Sequence, residues 1–140
     1  ITNSLKIMEL FDKQQPNARL IGIGGKFRSK SCSFVGDTAV KEIESYLVDK
    51  CFISTSALDP VHGLIDSSSQ ECQIHKKILE HSKYHYVLAD HTKFSARADY
   101  IVSELKNLNS VITDCKNDPM WDRIFEELNV DFIYHVNRRF

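Results

Sequence analysis

The stretch Tyr84-His85-Tyr86-Val87-Leu88-Ala89-Asp90-His91-Thr92-Lys93 governs how the rest of the chain is read. Tyr84 to Ala89 is a short aromatic and aliphatic run that breaks abruptly into four polar residues. A run of that length bounded by turn chemistry suits a buried strand better than a helix. Similar runs occur at Leu20–Ile23, Val48–Ile53, Val111–Thr113 and Phe132–Val136, with a weaker one at Tyr100–Val102. They suit strands buried on both faces, the pattern of parallel sheets.

Helical patterns lie between them. Ser4 can cap a helix carrying Leu5, Met8 and Phe11 on one face and ending before Pro16. Gly36 or Asp37 opens a second, with Ala39, Ile43 and Tyr46 inward. Ser67 to Glu71 forms a capped start for a third, followed by Ile74, Ile78 and Leu79. Asp118-Pro119 opens the last, with Trp121, Ile124, Phe125 and Leu128 facing the core. Strands alternating with helices of this length predict an α/β fold: three layers, a mostly parallel sheet with helices on both faces.

Bulk properties narrow the class. The chain's 140 residues are one domain's worth, enough to bury roughly two-thirds of the unfolded surface. With 42% hydrophobic residues, 26% charged and no long apolar run, it reads as a soluble globular domain without signal peptide or membrane span. A net charge of −1 argues against this segment gripping a nucleic-acid backbone by itself. Cys32, Cys51, Cys72 and Cys115 show no zinc-type spacing, so reduced cytosolic thiols are expected, with no metal and no cofactor.

In open α/β sheets ligands bind beyond the C-terminal strand ends, and four loops qualify. Thr2-Asn3-Ser4 opens a helix and could cradle an anion on free N–H groups, or act as a plain N-cap. Gly24-Gly25-Lys26 allows close backbone approach to a ligand beside a positive charge, or is only a tight strand exit. Ser54 to Gly63 offers three hydroxyls and Asp59 for a polyol, or a structural turn at Asp59-Pro60. Asp90-His91-Thr92-Lys93 can hold a hydroxyl and a phosphate, or pair internally. The six histidines are expected to be solvated or hydrogen-bonded, with His75, His81, His85 and His135 exposed. A small, hydroxylated, anionic ligand is what the four loops have in common.

In order and spacing the segments resemble the C-terminal domain of DeoR-type bacterial transcriptional repressors. The matching stretches include Ile1-Thr2-Asn3-Ser4, Ile23-Gly24-Gly25-Lys26, Phe34 to Ala39 and Asp49 to Ile53. Further along come Ser56 to Asp59 with Gly63, Glu71, Leu88 to Phe94, and Val111 to Asp114. The resemblance implies a fold similar to ribose-5-phosphate isomerase, glucosamine-6-phosphate deaminase and the CoA transferases. It also implies a phosphorylated-sugar effector that modulates DNA binding by an N-terminal winged helix outside this chain. By residue-level carry-over, the ligand cleft takes Thr2, Asn3, Ser4, Gly24, Gly25, Lys26, Asp59, Glu71, Asp90 and Lys93. Residues 1–140 are then one effector-binding domain, shortened at its N-terminal end by the family's opening strand and Asp-Gly-Ser/Thr loop. Ala57 stands where the family usually has glycine. A homo-oligomer and a cytoplasmic location follow from the same resemblance.

The rival expectation is a sugar-phosphate isomerase using Asp59, Glu71 and Lys93. The isomerases resembled carry a second acid where this chain has Ser56, and their Gly-rich lead into the glutamate helix is replaced by Ser67-Ser68-Ser69-Gln70. The expectation is therefore a sensor without catalytic activity.

Overall fold

A computed structural model describes residues 1–14, 17–114 and 118–134. Two compact units emerge, Ile1–Leu47 and Val48–Phe140.

In the first unit, α1 (Leu5–Gln14) follows Ser4, whose Oγ accepts from the Ile7 N–H at 3.4 Å. A hairpin of β1 (Lys26–Arg28) and β2 (Ser33–Val35) leads through Gly36 into α2 (Asp37–Ile43). Ile23, Val35, Ala39 and Ile43 are its buried apolar residues. The expected Leu20–Ile23 strand is reduced to one bridge, Gly22 to Thr2, because the partner segment turns into α1 at Leu5. Helix α1 buries none of its residues, so the face carrying Leu5, Met8 and Phe11 is not sealed into a core. Helix α2 ends before Tyr46, which is half-buried in the following turn.

The second unit is the α/β body. Its elements are β3 (Val48–Ser54), β4 (Ala57–Asp59), β5 (Gly63–Asp66), α3 (Ser69–Glu80) and β6 (Ser82–Leu88). They are followed by β7 (Tyr100–Ser103), β8 (Ser110–Thr113), α4 (Pro119–Glu127) and β9 (Asp131–Tyr134). A four-stranded parallel sheet runs β3-β6-β8-β9, with α3 connecting β3 to β6 and α4 connecting β8 to β9. Strands β4, β5 and β7 form a separate antiparallel sheet, so Tyr100–Ser103 is a strand but not part of the parallel ladder. The expected strand at Phe132–Val136 is seen as β9, and its His135 and Val136 lie outside the described residues.

Both crossover helices start as their sequences dictate. Ser68 Oγ accepts from the Glu71 N–H, and Asp118 accepts from the Met120 N–H at 2.8 Å with Pro119 in the first turn. Cys51, Ile53, Val87 and Val111 of the sheet pack with Cys72 and Leu79 of α3 and Trp121 and Phe125 of α4. Trp121 and Phe125 stack at 5.6 Å, and Phe125 meets Phe132 at 4.8 Å. Leu128, expected inward, is exposed past the end of α4. Burial of the sheet is one-sided: Phe52, Leu88 and Ile133 on alternate positions are exposed. Among the described residues no helix is long and apolar enough to cross a membrane, and Cys32, Cys51 and Cys72 are free thiols.

Candidate functional site

The register of the parallel sheet decides what can meet at its edge. Ser54 pairs with Leu88 and Leu88 with Ile112, so the chain leaves β3, β6 and β8 side by side. The loops that follow carry Ser56, Asp90 to Lys93, and Asp114, while Asp59 ends β4 of the separate antiparallel sheet. This is the edge where α/β sheets bind ligands.

The loop after β6 is a single 3-10 turn, His91–Lys93, capped by Asp90. Asp90 accepts from the Thr92 N–H at 2.8 Å and from the Thr92 hydroxyl. These bonds, with nearby Lys93, hold its carboxyl below the usual range. Across the ladder, Asp114 accepts from the His91 N–H at 2.7 Å and from the ring Nδ1 at 2.8 Å. The Asp114 carboxyl is lowered to about 2, first by the ring hydrogen bond, and the same bond raises His91. Phe94 extends this cluster toward β4, bridging to Leu58, so Asp59 is one residue from the contact.

Asp59 itself accepts from the Val61 and His62 N–H groups at 2.9 and 2.7 Å and lies 3.0 Å from the His62 ring. These backbone bonds lower its carboxyl. Asp59 Oδ1 thus does the work of an Asx-turn, the structural alternative that the Asp-Pro sequence left open. Glu71 is the third residue of α3, capped by Ser68, and its own turn gives it a helix-start role. The Thr55 hydroxyl points inward, 3.0 Å from the Ala57 and Ile65 carbonyls, so it does not offer itself to a polyol as the loop's composition suggested.

The remaining six candidates belong to the first unit. Thr2 Oγ1 accepts from the Ser4 N–H at 3.1 Å, and Thr2 exchanges backbone bonds with Ile21 and Ile23. Asn3 Nδ2 donates to the Phe34 carbonyl at 2.9 Å, tying this segment to β2. The Gly24 N–H donates to Glu42 Oε2 at 3.0 Å, so a carboxylate already sits where an anion was expected. Gly25 adopts φ 137°, and a Cβ there would meet the Val35 carbonyl at 2.8 Å. Lys26 opens β1 and is exposed.

Two features were not legible as site residues. His91 was expected to be simply solvated or hydrogen-bonded, and Asp114 was only the end of a matching stretch. Their juxtaposition depends on β6 and β8 being neighbours; the available signal was that both residues follow strand runs. His75, expected to be exposed, is instead largely covered and paired with buried Asp66 at 2.7 Å. Among the described residues no cluster of three or more histidines, cysteines or acids could hold a metal ion.

Comparison with known proteins supplies the family context. Residues 1–115 match the model of the DeoR C terminal sensor domain. An uncharacterized HTH-type transcriptional regulator of Bacillus subtilis, YulB, is 33% identical over 131 residues, 93% of this chain and 50% of the relative. The HTH-type transcriptional regulator IolR of the same organism is 34% identical over 81% of this chain and 45% of its own length. The glycerol-3-phosphate regulon repressor of Haemophilus influenzae is 27% identical over 81% of this chain and 44% of its own length. The chain spans about half the length of the curated relatives it matches.

Proposed function

This chain belongs to the DeoR C-terminal sensor domain family, and from that premise we propose that it binds a phosphorylated sugar at the C-terminal edge of its parallel sheet. The observation carrying this is the convergence of Asp90, Lys93, His91 and Asp114 at the ends of β6 and β8. Carboxylates accept from sugar hydroxyls, and cations hold a phosphate. The name of the glycerol-3-phosphate regulon repressor supports a phosphorylated polyol as the ligand class. Asp59 and Glu71 border the sugar; Thr2, Asn3, Ser4, Gly24, Gly25 and Lys26 stay candidate ligand groups of the first unit taken by itself.

The ligand acts as an effector of transcription. It binds one arrangement of the intact regulator better than another and so shifts its grip on operator DNA through a helix-turn-helix segment. The regulator works as a homo-oligomer in the cytoplasm. The chain senses rather than catalyses: Ser56 offers no carboxylate, and its Oγ accepts from the Ser67 N–H at 3.1 Å. A thermal-shift screen of phosphorylated sugars, each against its unphosphorylated parent, tests this directly. The expected result is a rise in midpoint with one phosphorylated compound, lost in Lys93→Ala. Equal shifts with the parent sugars would refute the phosphate-binding role.

A further inference from the structure

We propose that His91 is an anion-contacting residue of the strand-end site and that Asp114 is its positioning residue. The inference rests on the site proposed above but assigns roles that the ligand set does not contain.

The geometry is that of a clamped yet accessible ring. Asp114 holds both the backbone N–H and Nδ1 of His91, at 2.7 and 2.8 Å, while the His91 side chain remains 57% exposed. The restraint is long-range: Asp114 lies 23 positions away on the neighbouring strand, unlike the local turn bonds of Asp59 to His62. The clamp also fixes the ring's chemistry. With Nδ1–H donating to Asp114, a neutral imidazole presents an acceptor at Nε2, which repels an anion oxygen. Protonation turns Nε2 into a charged donor, which attracts it. The charged neighbours of the ring are Asp114 from the end of β8 and Asp90 from its own turn. Lys93, also on that turn, acts on Asp90. Asp114 favours the protonated ring, so His91 adds a cation to the turn that also carries Lys93, while Asp90 stays with Thr92.

Sulfate is a suitable probe because it stays a dianion throughout, so any pH dependence belongs to the protein. Amide shifts of the full 140-residue chain would be followed during sulfate titrations from about pH 5.5 to about pH 8.5 at fixed ionic strength. The wild-type chain should bind about tenfold more tightly at the low end, with shifts centred on residues 90–93. His91→Gln, an exposed substitution, should give weak and pH-independent binding. Asp114→Asn should move the pH midpoint of binding downward. If His91→Gln keeps the wild-type affinity and pH profile while sulfate still binds at residues 90–93, the role of His91 is wrong and the site stands. An unchanged midpoint in Asp114→Asn overturns the positioning role. Absence of saturable shifts at residues 90–93 in the wild type removes the site and this inference with it.

Discussion

Asp66 and His75 form a covered acid–imidazole pair, with Oδ2 and Nδ1 2.7 Å apart and side chains 3% and 19% exposed. The other oxygen of Asp66 accepts from the Ser56 N–H at 3.3 Å. One carboxylate therefore ties the end of β5 both to α3 and to the loop after β3. Removing it would leave two donors short of a partner in a place water reaches poorly.

Asp66→Ala should accordingly destabilise the chain by about 3 kcal/mol, and His75→Ala by less, since its ring keeps some solvent contact. Chemical denaturation of the two single variants and the double variant would measure the coupling. Strict additivity would show that the pair contributes no interaction of its own.

The glycines separate fold from function. At Gly63, φ is 83° and a Cβ would lie 2.1 Å from the Ser103 carbonyl, so Gly63→Ala should cost about 3 kcal/mol or more. Gly25→Ala faces the Val35 carbonyl at 2.8 Å and should also lower the melting temperature. Gly24 is different, with only Glu42 Oε2 near, at 3.9 Å. Gly24→Ala should leave stability within about 0.5 kcal/mol of wild type, and a loss of ligand affinity in that variant would locate the ligand beside this backbone.

Core packing should dominate the stability of the second unit. Phe125 is fully buried among Trp121, Phe132 and the sheet, so Phe125→Ala should cost about 4 kcal/mol. Leu128, exposed one turn later, should tolerate alanine at a cost of about 0.5 kcal/mol. Urea midpoints of the two variants check both figures.

The His91–Asp114 bond should leave a defined pH signature. Asp114 is depressed to about 2, so its contribution is present above the ordinary carboxylate range and fades as pH falls toward that value. His91 is raised, so its contribution is full below the ordinary imidazole range and is lost as pH rises through the folded value. The gap in melting temperature between wild type and Asp114→Asn should therefore be widest between about pH 4 and about pH 6.5. A gap that does not vary with pH would show that the two groups do not interact in solution.

Much of the second unit could be read from sequence because its signals are local. Ser68 and Pro119 mark helix starts through bonds made within one turn, and Val87 and Val111 announce buried strands by their neighbours alone. Strands of three residues carry too few alternations to be seen, which is why β1, β2 and β4 were not expected. An apolar run such as Val48–Ile53 cannot say whether one face or two will be covered, and here Phe52 is exposed. At the site the ambiguity is chemical. Asp59 and Asp90 have the same composition as ligand groups and as turn caps, and the turn bonds are made in both cases. The contact between His91 and Asp114 spans 23 positions and depends on strand order, which no local pattern encodes.

The most direct test of the strand-end site is amide chemical-shift mapping with glycerol 3-phosphate and, in parallel, glycerol. If the edge of the parallel sheet receives a phosphorylated polyol, the phosphate ester should shift residues 90–93 and Asp114 in a saturable way, and glycerol should leave them unchanged. Saturable shifts confined to residues away from the ends of β6 and β8 would contradict it.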